Sequence, residues 1–462
     1  PDPGCVARRQ NLVRELVPLH LFRDRLALNA TLAAGATRTW KANQLVEWFE
    51  RYTPATTLRR WLILFSVLTG LNVLLFAGDR LGILPPWWQV TFPLYLVLWL
   101  WRVQATDTIW DEAMALEGAL RQLSAVFGQL ESFSYHHTPH LQILCVPFLD
   151  RAHRPSAYLG RVVRAVTAMS LGANPLLRFL LNVAFPWDSY FAYSLERTKA
   201  ALVARAPAWL DVWFDLEALG SLANFAYLNP GYAFPDLLAM GERAPSSVFQ
   251  AEGLGHPFIP HREKICNDLS IPALGQVTVL TGSNMAGKSV FLKTVGVNLA
   301  LTQAGGPVNA RSLQTVLFRL FTSMRISDSV TDGISYFYAE VRRLKALLVE
   351  LERDHPLPLL YCIDEIFRGT NNRERLFGSR AYVRALAGQR GLGLIATHDL
   401  ELAKLAGERP QVINYHFRDH VADGRMAFDY VLRPGPSPTT NALTIMELEG
   451  LPVPSLEDGS GD

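Results

Sequence analysis

The residues best suited to chemistry in this chain are Thr281 to Ser289, TGSNMAGKS, where Gly282, Gly287, Lys288 and Ser289 satisfy the pattern G-x-x-x-x-G-K-S/T. Such a loop curls so that successive backbone N–H groups, here of Ser283, Asn284, Met285, Ala286 and Gly287, point inward at a phosphate. Lys288 would reach the β/γ oxygens, and the Ser289 hydroxyl would ligate Mg²⁺. A second acidic element follows the apolar run LLYCI, which ends in Asp364-Glu365. At the carboxyl end of a buried strand, Asp364 would hold Mg²⁺ through water and Glu365 would orient and deprotonate an attacking water. A third run, GLGLIATHD, ends in Thr397-His398, where an imidazole can sense the γ-phosphate or polarise the lytic water. Three strand-then-polar segments of this kind describe an ATPase-type site using ATP and Mg²⁺.

The elements that must position these residues are legible around them. QVTVL before the loop reads as a short buried strand, and FLKTVGVNLALTQ after it reads as a helix. That strand–loop–helix context separates a phosphate loop from a chance Gly-rich turn. An α/β P-loop domain is therefore expected over residues 241–452, with a polar tail, 453–462, too poor in apolar residues to pack.

The full set of segments resembles the MutS mismatch-repair ATPases, which resemble the ABC-type ATPases in fold. TGSNMAGKS, SYFYAEV, CIDEIFRGTN and ATHDLEL stand where that family has TGPNMGGKS, STFMVEM, DEIGRGTS and ATHYxEL. GHPFIP resembles the R-H-P segment preceding the family's nucleotide domain, and TTNALTIMELEGLP resembles its closing stretch. The resemblance covers the last two-fifths of the chain. It implies that Asn284 contacts phosphate and that Ser335 reaches across a homodimer interface to the partner's γ-phosphate. It also implies binding of DNA, mismatched or branched. Two departures bear on the rate and regulation of hydrolysis: Phe367 replaces the family's glycine after DEI, and Asn371-Asn372 replace its S-T.

Upstream the likeness is patchier. Arg8 to Leu16 resembles the R-Q-x-A-V-x-E-L element opening the family's core domain, and Asp215 to Pro230 resembles the element closing its lever helices. No segment matches the F-x-E wedge of mismatch sensors. The chain begins at Pro1, which reads as a fragment or a processed product.

A different signal lies in between. Trp61 to Ala77 is uncharged throughout, and after Gly78, Asp79 and Arg80 a second uncharged run extends from Leu81 to Trp101. Each is about long enough to cross a bilayer. Trp87, Trp88, Trp99 and Trp101 fall near the ends of the second run, where amphipathic rings favour the headgroup level. Arg59, Arg60 and Arg102 flank the pair, and residues 1–60 hold ten Lys/Arg against five Asp/Glu. The expectation is a transmembrane hairpin over 61–102, in contact with the membrane through 61–101. It would lie in the cell inner membrane with both ends and the protein mass on the cytoplasmic side. Residues 1–60 then form an N-terminal helical part of the core. Residues 103–240, with apolar residues recurring at helical spacing, form a helical core or lever region.

Composition excludes other classes. A net charge of +2 provides no global basic field. The four cysteines, Cys5, Cys145, Cys266 and Cys362, lack the spacing of a zinc site or a disulfide framework. Tyr135-His136-His137-Thr138-Pro139-His140 reads as a structural loop, since Thr-Pro breaks the helix that would align the rings. The alternative to DNA binding is a membrane-anchored, ATP-driven switch acting on a protein or lipid partner. A transporter-type subunit fits a single hairpin poorly.

Overall fold

In a computed structural model, the described residues are 2–34, 48, 55–239, 247–283, 286–324, 336–367, 370–422 and 425–437. The first half is helical and the second is mixed α/β. By its internal contacts the chain divides into two units, Glu15–Ser221 and a second formed by Pro1–Arg14 with Leu222–Asp462.

The helices run α1 (Pro3–Leu16), α2 (His20–Ala34), α3 (Ala55–Arg80), α4 (Trp88–Ala115), α5 (Glu117–Ser132), α6 (Pro139–Leu144), α7 (Val146–Leu149), α8 (Pro155–Ser170), α9 (Pro175–Ala184), α10 (Trp187–Val203) and α11 (Ala206–Leu228). The core of the helical unit follows from three-and-four spacing. Leu120, Leu123, Val126, Phe127 and Leu130 of α5 are buried, as are Leu159, Val162, Val166 and Met169 of α8, and the two helices pack together. The histidine-rich segment serves a cap: the Glu15 carboxylate accepts the N–H groups of His140 and Leu141 at 3.0 and 2.8 Å, satisfying the start of α6.

Helices α3 and α4 pair through Trp61–Trp101, Phe65–Tyr95 and Phe76–Trp88 ring contacts, and Trp88 Nε1 donates to Asp79 across the turn. The run expected from Leu81 to Trp101 divides, because Leu81–Trp87 form the turn and helix begins only at Trp88. Among the described residues, one helix, Thr56–Arg80, is long and apolar enough to cross a membrane, with a mean hydropathy of 2.0 in its most apolar window and 11% of that window buried.

In the α/β unit, β4 (Val277–Thr281), β6 (Arg319–Ser323), β7 (Leu359–Asp364), β8 (Gly391–Ala396), β9 (Val412–Ala422) and β10 (Arg425–Pro434) form a six-stranded sheet of order β10-β9-β4-β8-β7-β6. Only β10 is antiparallel to its neighbour. A smaller sheet joins β1 (Asp236–Leu237), β5 (Ser312–Thr315), β2 (Phe249–Leu254) and β3 (Asn267–Ile271) in that order. Side chains of the main sheet alternate between two cores, as period-two strands covered on both faces must. Leu280, Leu360, Cys362, Leu394 and Ala396 pack against Phe291, Leu292, Val295 and Leu299 of α12 (Lys288–Ala304). Val277, Val279, Tyr361, Ile363 and Ile395 pack against Leu344, Leu347 and Leu351 of α13 (Tyr336–Glu352) and Tyr382, Val383 and Leu386 of α14 (Asn372–Leu386). Residues 1–14 belong to this unit: Gln10, on α1, donates its amide to the Pro235 carbonyl at 3.0 Å in a buried contact.

Candidate functional site

Sheet register assembles the site. Leu280 of β4 and Asp364 of β7 both pair with Ala396 of the intervening β8. The three polar segments therefore leave the sheet side by side, at the carboxyl ends of adjacent parallel strands, where open α/β sheets bind ligands.

The loop after β4 takes its shape from two glycines. Gly282 lies at φ 139° with a virtual Cβ only 2.7 Å from the Phe417 carbonyl oxygen, and Gly287 lies at φ 102° immediately before α12. Any other residue would be strained at either position. Lys288 is buried at the first position of α12, and its ammonium spans the loop, donating to the carbonyls of Gly282 and Ser283 at 2.7 and 2.6 Å. Ser283 Oγ is buried without a hydrogen-bond partner among the described residues, a donor of the kind a phosphate oxygen would accept. Ala286 is fully buried. Asn284, Met285 and Ser335 lie outside the described residues.

Ser289 Oγ donates to Asp364 Oδ1 at 2.9 Å, joining residues 75 apart in sequence. A hydroxyl facing a carboxylate is a hard-oxygen pair, which fits Mg²⁺ completed by phosphate and water. Glu365 N–H donates to the Ala396 carbonyl at 2.9 Å, and its carboxylate meets His398 Nδ1 at 3.2 Å with both side chains partly solvent-accessible. Of the predicted residues, the structure thus brings Gly282, Ser283, Gly287, Lys288, Ser289, Asp364, Glu365 and His398 to one end of the sheet.

The two departures from the resembled motif have local reasons. Asn371 accepts the Glu374 N–H at 2.9 Å and so caps α14, a role asparagine fills as well as serine. Phe367 takes the left-handed backbone conformation, φ 58°, that glycine adopts freely.

One part of the site is invisible in the motifs. A cavity of about 240 Å³ opens beside the loop, lined by Leu254, Ile265, Gly287, Val290, Phe291 and Tyr430 among others. Tyr430 reaches it from an irregularity in β10, at φ 54°, with its ring 3.0 Å from a virtual Cβ on Gly287. Asn267 fixes that irregularity by donating to the Tyr430 carbonyl and accepting the Leu432 N–H. His256 also lines the cavity. Burial first, then the charges of Lys293 and Lys264, hold its pKa below the usual value, and its Nδ1 accepts the Phe258 N–H. It is therefore a neutral imidazole at neutral pH. Only GHPFIP hinted at this wall, because β3 and β10 contribute single residues without a motif.

A MutS domain V family model matches residues 278–460, the stretch holding Lys288, Ser289, Asp364, Glu365 and His398. The protein is MutS-like. It is 33% identical over 254 residues to the DNA mismatch repair protein MutS of Natronomonas pharaonis, covering 54% of this chain and 28% of that relative. It is 31% identical over 246 residues to the protein of that name from Thermus thermophilus, covering 53% and 28%. A Halobacterium salinarum relative, DNA mismatch repair protein MutS 2, is 31% identical over 270 residues, covering 58% and 29%. This MutS-like chain thus spans less than a third of the length of these relatives.

Proposed function

We propose that this MutS-like protein binds and hydrolyses ATP as a homodimer, anchored to a membrane, and couples nucleotide-driven closure to binding of mismatched or branched DNA. The observation supporting hydrolysis most directly is the convergence of Lys288, Ser289, Asp364, Glu365 and His398 at three adjacent strand ends. In this reading residues 241–452 are the ATPase domain, 103–240 the lever region, 61–102 the membrane hairpin, 1–60 its cytoplasmic approach and 453–462 a tail.

The loop of Gly282, Ser283, Asn284, Met285, Ala286 and Gly287 cradles the phosphates, and Lys288 turns its ammonium from the loop carbonyls to the β/γ oxygens. The cavity beneath Tyr430 takes the base. Ser289 and Asp364 would hold Mg²⁺, which when bound neutralises developing phosphate charge. Glu365 accepts the proton of the lytic water, and His398, against the same carboxylate, orients it or senses the γ-phosphate. Ser335 of one protomer completes the partner's site. DNA enters this reading through the relatives' names, DNA mismatch repair protein MutS. The membrane enters through the uncharged run of Thr56–Arg80; Arg59 and Arg60 before that run and Arg102 after the second favour the cytoplasmic face of the cell inner membrane for both ends.

The outward apolar faces of α3 and α4 favour a second reading, an ATP-driven switch acting on a protein or lipid partner without DNA. Two measurements on the detergent-solubilised protein test these readings. Glu365→Gln should lower ATP turnover by about 100-fold or more, the scale of a lost general base; undiminished turnover would sink the site assignment. Duplex binding should be tighter for mismatched than paired DNA and weaken with salt. Indifference to DNA would leave the second reading standing.

A further inference from the structure

The acid-bearing loop after β7 is held in an unusual backbone. Glu365 and Phe367 both lie in the left-handed region, at φ 65° and 58°, where residues other than glycine persist only if their surroundings over-determine them. Glu365 is tied by its N–H to β8. Phe367 is held differently, from α13 and α14. Its N–H donates to Glu340 Oε1 at 2.7 Å, and Glu340, in the second turn of α13, is 2% exposed. A buried carboxylate accepting a backbone N–H is a strong, charge-assisted contact. The Phe367 ring lies between Phe337 of α13 and Tyr382 of α14, with centroids 6.3 and 6.2 Å away. It also packs so closely on α14 that a Cβ on Gly378 would sit 3.1 Å from two ring carbons. Tyr382 closes the circuit by donating its hydroxyl to the Leu344 carbonyl of α13 at 2.8 Å.

We infer that Glu340 is a positioning residue for hydrolysis: its carboxylate holds the left-handed turn at Phe367 and thereby fixes Glu365, two residues earlier, against His398. The inference rests on the hydrolytic reading of this site. The substitution of phenylalanine for a residue free to adopt this backbone makes the turn depend on that support.

The test is a double-mutant cycle in the full chain, reading ATP turnover and binding of a fluorescent ADP analogue. Glu340→Ala should lower kcat by about tenfold, the scale of a misplaced catalytic group, while nucleotide affinity stays within about twofold. Glu340→Gln, which keeps an acceptor oxygen in the same volume, should retain kcat to within about threefold. In a Phe367→Gly background, where glycine takes the turn unaided, Glu340→Ala should cost less than about threefold. Equal losses in both backgrounds overturn the inference, as does a tenfold loss in Glu340→Gln or loss of nucleotide binding together with kcat. Should Glu340→Ala not fold, the Glu340→Gln comparison decides alone. Turnover that survives Lys288→Ala would instead overturn the hydrolytic reading itself, a result distinct from any of these.

Discussion

The two units of this molecule both bury apolar cores but differ in what they leave at the surface. In the α/β unit, apolar residues of the central strands vanish into cores on both faces of the sheet, and polar residues gather where three strands end. In the helical unit, α3 and α4 turn large apolar groups outward: Ile63, Val67, Val73 and Leu74 on one, and Val90, Leu94, Val97 and Trp101 on the other. Water-soluble surfaces rarely carry a contiguous apolar face of that extent without a partner. The contrast in exposed apolar surface yields predictions that differ by unit.

The most decisive effect expected is at the centre of α3. Val67→Arg should displace the protein from membranes, costing about 2.5–3.5 kcal/mol of insertion, measured by its share of the membrane fraction. Unchanged partitioning would break the comparison, because a water-facing site tolerates arginine to within about 0.5 kcal/mol. Next is paired truncation. Leu347, fully buried on α13, should cost about 2–5 kcal/mol on change to alanine, read as a lowered denaturation midpoint of the solubilised protein. Leu74→Ala, at a position 69% exposed, should leave that midpoint nearly unmoved. Similar shifts in both would mean that α3 buries its apolar face against protein.

The smallest effect is chemical. Burial pushes Cys362 up to about 12 and Cys145 up to about 11, so neither offers thiolate at neutral pH, whereas Cys266 is exposed. A maleimide should label Cys266 within minutes and reach Cys145 and Cys362 only after denaturation. Rapid labelling of Cys362 would show that β7 opens in the native state.

The segments of the candidate site were legible because each carries a local physical demand. A loop curled around phosphate needs glycines at fixed spacing, and a strand buried on both faces reads as an uninterrupted apolar run ending in its first polar residue. The left-handed turn at Phe367 left only a weak trace, a departure from a motif, because its support comes from Glu340 and Gly378 on separate helices. The second apolar segment was read as continuous because uncharged residues do not announce a turn. Pro85 and Pro86 lie in the turn that opens it in the structure, and helix starts only at Trp88.

By itself, then, the sequence determined the phosphate loop, the acids after β7, the histidine after β8 and the two apolar segments, since all of these follow from residue type and short-range spacing. Tertiary structure alone decided which strand lies between which, and therefore that Ser289 meets Asp364 and Glu365 meets His398. It also decided that Tyr430 and Ile265 wall a cavity beside Gly287. Strand order and register arise from packing between residues far apart in the chain, and no local pattern encodes them.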